Sequence, residues 1–133
     1  MSTLKVSTIQ DTSGNNSSTP AGIASGTAKA WVNFNATGTV AIRDTFNVSS
    51  ITDNGTGSYN VNYTNAMANA NYAVFCNQGD GTTGSTIPYG LFFNAGGYGT
   101  TFQQTTSTVR VYSKTYANGD YDALHNYVLV FGD

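Results

Sequence analysis

Gly57-Ser-Tyr-Asn-Val-Asn-Tyr63 decides the fold. Tyr59, Val61 and Tyr63 fall on one side of an extended chain, and Ser58, Asn60 and Asn62 on the other. That period of two marks a strand with one dry and one wet face. Asp53-Asn-Gly55, just ahead of it, reads as a tight turn, because Asn-Gly readily takes the positive φ values of a hairpin loop. Upstream lie three more β-branched or aromatic runs: Ala30-Trp-Val-Asn-Phe34, Gly38-Thr-Val-Ala-Ile-Arg43 and Phe46-Asn-Val-Ser-Ser-Ile51. Downstream, Tyr72 to Asn77 and Ile87 to Asn94 are apolar, with a Gly- and Thr-rich loop, 78–84, between them. Thr108-Val-Arg-Val-Tyr-Ser113 alternates again. Asn126-Tyr-Val-Leu-Val-Phe131 is apolar on both sides, which suits the middle of a sheet or a face covered by a neighbouring subunit. Only Ala66-Met-Ala-Asn-Ala-Asn71 leans towards helix, as a single turn linking strands. About eight short strands with regular turn signals predict an all-β chain, an antiparallel β-sandwich or jelly-roll-like domain.

Composition points the same way. The chain has 133 residues, enough for one domain with a modest core. Only 9% of them are charged, against about a quarter in an ordinary soluble domain. Glu is absent, and Ser, Thr, Asn and Gly carry the polarity instead, which removes the best exposed helix formers. The net charge is −2, and the basic residues Lys5, Lys29, Arg43, Arg110 and Lys114 are scattered. No basic stripe is present to neutralise phosphates or hold an anionic bilayer, so neither nucleic acid nor membrane insertion is expected. Low charge also gives a free monomer little colloidal repulsion, which favours life inside an assembly.

The chain divides near residue 28. Leu4-Lys-Val-Ser-Thr-Ile9 is one patch of apolar and polar residues, but Asp11-Thr-Ser-Gly-Asn-Asn-Ser-Ser-Thr-Pro20 holds too little apolar surface to order itself by burial. Residues 1–28 are therefore expected to form an extended docking arm whose Leu4, Val6 and Ile9 need a partner surface. Residues 29–133 form the β-domain. Met1-Ser-Thr-Leu-Lys-Val6 lacks the apolar stretch of a signal peptide, so synthesis in a cytoplasm is expected.

Little in the sequence supports catalysis. His125 is the single histidine and Cys76 the single cysteine. With no Glu, a metal site would need both of them and Asp residues to converge, so neither a metal nor a cofactor is expected. Cys76, inside Tyr72-Ala-Val-Phe-Cys76, reads as a small core residue, and His125 as an ordinary residue at the entry to the last strand. Asp120-Tyr-Asp122 is the one close carboxylate pair and reads as a turn beside Asn118-Gly119. The expected protein is not an enzyme.

Binding is the better prospect. Tyr89, Tyr98, Tyr116 and Tyr121 lie in or beside Gly-, Asn- and Thr-rich segments, where a ring offers a flat apolar face and a polar tip. With Asp120, they are the candidate residues for a sugar or other polar polymer. The competing reading packs them over a domain edge or into a subunit interface. Trp31 is expected to be a core or interface anchor.

Leu4-Lys-Val-Ser-Thr-Ile-Gln-Asp-Thr-Ser-Gly14 resembles the start of short virion proteins of marine bacteriophages that infect cyanobacteria. Ala28 to Asn35, Gly38 to Asp44, Phe46 to Gly57 and Tyr59 to Tyr63 resemble a module of their tail-fibre-like appendage proteins. The resemblance spans roughly residues 3–75 and departs from the commoner form over Ala21-Gly-Ile-Ala-Ser-Gly26. It implies a β-rich, homotrimeric virion protein that contacts other virion proteins through its arm and a host surface polysaccharide through its domain. It transfers no individual functional residue. A tail-fibre module for host attachment is the leading expectation, and a capsid decoration or head-fibre protein the alternative.

Overall fold

The computed structural model describes residues 2–79, 93–94, 103–115 and 119–132. The chain is mostly β. Among the described residues one short helix, α1 (Pro20–Gly26), precedes strands β1 (Ala30–Asn35), β2 (Ala41–Phe46), β3 (Val48–Asp53), β4 (Ser58–Tyr63), β5 (Ala73–Gly79), β6 (Phe93–Asn94), β7 (Thr108–Tyr112) and β8 (His125–Phe131). They form two four-stranded sheets, in the orders β2-β1-β8-β5 and β3-β4-β7-β6. Every neighbouring pair of strands is antiparallel.

Alternation places the core. Ala30, Val32 and Phe34 of β1, Tyr59, Val61 and Tyr63 of β4, Val109 and Val111 of β7, and Val128 and Val130 of β8 are buried and belong to one apolar cluster. Both sheets therefore feed a single core. Phe34 and Tyr59 meet edge to face across it, with centroids 5.3 Å apart, and Tyr63 meets Tyr72 in the same way at 5.8 Å. Cys76 packs against this cluster from β5, and burial pushes its thiol up to about 12, so it stays protonated at neutral pH. The doubly apolar last strand lies in the middle of its sheet, between β1 and β5.

Three local expectations need correction. The run from Phe46 to Ile51 is not one strand. Phe46 closes β2 in the first sheet, Val48 opens β3 in the second, and Asn47 turns the corner between them at φ 55°. Asn tolerates this left-handed conformation better than other side-chain-bearing residues, and this one also fastens the corner. Its Nδ2 donates to the carbonyls of Lys29 and Asn65, and its Oδ1 accepts the Asn65 amide. Secondly, 66–71 has no helix: the Met67 amide donates to the Thr106 carbonyl, and the Met67 side chain enters the core. The helix is α1, where Thr19 accepts the Gly22 amide as N-cap and Pro20 occupies the first turn. Thirdly, of the two places expected for Trp31 the core is the one that fails, because Ala30, Val32 and Phe34 take the inward positions of β1.

The side chains of residues 2–27 are exposed throughout. The order found there comes from polar bonds. Asp11 Oδ1 accepts the amides of Ser13 and Asn15, and Ile9 and Ser18 exchange both backbone hydrogen bonds.

Candidate functional site

Two regions are candidates for a site: the turn carrying Asp120 and Tyr121, and the outer face of the β2-β1-β8-β5 sheet. The turn is tied into the β4 hairpin. Gly57, at φ 67°, passes so close to it that a Cβ there would stand 2.8 Å from the Tyr121 amide nitrogen. The Tyr121 amide donates to the Ser113 carbonyl, and the Ser113 amide donates to the Gly57 carbonyl. Asp122 Oδ1 accepts the Gly57 amide at 2.7 Å and the Tyr59 hydroxyl. Burial, and then the Asp122 hydrogen bond, hold the Tyr59 hydroxyl far above the usual tyrosine range. Asp120 pairs with Lys114. The two carboxylates thus face different partners: Asp122 anchors the hairpin from within, and Asp120 closes its own turn.

The outer face of the first sheet follows from the same alternation. With Ala30, Val32 and Phe34 pointing in, Trp31 and Asn33 point out. With Val128 and Val130 in, Tyr127 and Leu129 point out. Strand register aligns these residues in rows. Phe46, Trp31, Leu129 and Phe75 are consecutive register partners across all four strands. Two residues along, Asp44, Asn33, Tyr127 and Asn77 form a second row in the same way. Phe75 is 62% exposed, Phe46 53% and Tyr127 37%. A shallow depression of about 440 Å³ lies between the rows, with Trp31, Asn33, Asp44, Tyr127 and Leu129 on its walls. On the same strand the His125 ring stacks on Tyr127, with 3° between the planes. Arg43 Nη1 donates there to the Leu124 carbonyl and to His125 Nδ1.

The sequence candidates distribute unevenly over this picture. Asp120 and Tyr121 are neighbours in the anchored turn, whereas Tyr89, Tyr98 and Tyr116 lie outside the described residues. Leu4, Val6 and Ile9 are 86%, 41% and 52% exposed, and none joins the core. Sequence reasoning missed the outward rows. A signal was present: with Cys76 assigned to the core, period two obliges Phe75 and Asn77 to face outwards. Among the described residues no three His, Cys, Asp or Glu side chains gather as metal ligands would.

Compared with protein-family models, curated proteins and solved structures, the chain matches none of them.

Proposed function

We propose that the chain is a non-enzymatic structural protein of a bacteriophage virion, a tail-fibre or tail-appendage module that attaches to glycan on the host surface. The observation that carries this reading is the exposure of large apolar side chains in two separate places. Leu4, Val6 and Ile9 stand in solvent on the N-terminal segment, and Phe46 and Phe75 on the outer sheet face. Contiguous exposed apolar surface marks sites of interaction, and a chain with 9% charged residues has little else to keep it apart from its neighbours.

In this reading residues 1–28 are an arm that docks on other virion proteins through Leu4, Val6 and Ile9. Residues 29–133 are a β-sandwich that assembles as a homotrimer. The single core fed by both sheets supports the sandwich, and the resemblance of residues 3–75 to cyanophage appendage proteins supports the particle and the trimer.

Electron cryomicroscopy of purified particles of the source virus tests the proposal. The expected result is trimers of this chain at the tail periphery. Density for it on the head would replace attachment with capsid decoration or a head-fibre role. A sedimentation mass equal to one chain would remove the trimer.

A further inference from the structure

The two sheets finish their outer faces differently. On the second sheet the polar side chains satisfy one another. Asn62 Nδ2 donates to Ser50 Oγ and Thr52 Oγ1, Asn54 Nδ2 donates to Asn60 Oδ1, and the Arg110 guanidinium donates twice to Ser58 Oγ. The first sheet leaves its polar row open. Among the described residues Asp44 accepts only the Thr45 amide, through Oδ1, and Asn77 only the Gln78 amide, also through Oδ1. Asn33 Oδ1 takes a 3.5 Å contact from Arg43, and its Nδ2 has no acceptor among the described residues. The Tyr127 hydroxyl also has no partner among the described residues. An acceptor, two amide donors and a hydroxyl therefore stand in register beside Phe46, Trp31, Leu129 and Phe75.

We infer that this face is a binding platform for a neutral oligosaccharide lying across the strands, with its C–H faces on the apolar row and its hydroxyl rim on the polar row. The inference rests on the attachment reading and gives it a site apart from the tyrosine-bearing loops. Sugar rings are amphipathic on the scale of the two rows, which are separated by two strand residues, roughly 7 Å. From β2 to β5 the rows cross three strand spacings, roughly 14 Å, the reach of a short oligosaccharide. Flat rings with a few aligned polar groups orient such a ligand. A purely apolar partner would bury the open Asn33, Asn77 and Tyr127 donors without acceptors, which costs the full desolvation of each group. A hydroxyl-bearing ligand satisfies them.

Trp31 is the only tryptophan, so its emission reports on this face alone. The test titrates the full chain with cellohexaose, maltohexaose, chitohexaose and polysaccharide stripped from the host envelope, followed by calorimetry and Trp31 fluorescence. Phe75→Ala and Asp44→Ala are the variants, both at exposed positions, so the fold is retained and circular dichroism checks it. The expected result is binding that shifts Trp31 emission and weakens up to roughly tenfold in Phe75→Ala. Binding with unchanged emission and no effect of Phe75→Ala overturns the platform but leaves host attachment standing at another site. A mass that rises with protein concentration, together with an emission shift in the absence of sugar, makes the face an interface between copies and overturns the platform. No binding to any probe also overturns it. Adhesion of the protein to host cells then decides separately whether the attachment reading survives.

Discussion

Gly57 concentrates several demands on one residue. Its φ of 67° disfavours any side chain, and its Cα faces the Ser113 carbonyl and the backbone of residues 120 and 121. Gly57→Ala combines left-handed strain with a backbone clash, so it is expected to cost about 2–4 kcal/mol. A urea-denaturation midpoint equal to that of the parent would disprove this account of the hairpin. The sequence displayed Gly57 only as the start of a strand, because its neighbour across space, the turn at 120–122, is more than sixty residues away in the chain. The turn reading of Asp120-Tyr-Asp122 did not reveal that Asp122 reaches back to Tyr59. Only the packing of β4 against β7 brings that carboxylate within reach.

At the scale of elements, the Asn47 corner passes the chain from one sheet to the other in a single residue. Its contribution has two parts, tolerance of positive φ and three side-chain hydrogen bonds. Two substitutions separate them. Asn47→Gly keeps the backbone conformation and loses only the bonds, and is expected to destabilise by about 1–2 kcal/mol. Asn47→Val adds the strain of a β-branched residue at φ > 0 and is expected to lose about 1–3 kcal/mol more. Thermal melts that rank Val above Gly would refute the division. The alternation that gave eight strands could not see this corner, since Phe46-Asn-Val-Ser-Ser-Ile51 keeps a strand-like pattern straight through it. The break is decided by which sheet each half hydrogen-bonds to.

For the whole molecule the shared core sets the response to pH. Burial pushes up the hydroxyls of Tyr59, Tyr63 and Tyr72, whose ordinary value is 10.0, and raises the Cys76 thiol from 9.0 to about 12. All four groups are neutral when protonated, and folding favours that form. Their contribution is therefore fully present below pH 9.0, the lower of these two ordinary values, and is lost as alkali ionises the unfolded chain first. Urea midpoints are expected to stay level from neutral to about pH 8.5 and then fall through pH 11. Tyr59→Phe is expected to flatten part of that fall. A midpoint unchanged at about pH 11 would contradict the burial of these groups.

Period-two patterning and the shortage of charge were enough to establish, from the sequence alone, an all-β chain and the inward positions of Tyr59, Val61 and Tyr63. Those properties are local, because a side chain's face follows from its parity along the strand. Tertiary structure decided what parity cannot carry: which strands share a sheet, where the chain changes sheets, and which residues of different strands stand in one row. The row Phe46, Trp31, Leu129 and Phe75 draws on four strands spread over residues 31–129. Each member looks like an ordinary strand residue in its own segment, and only the hydrogen-bonded register between strands makes a surface of them.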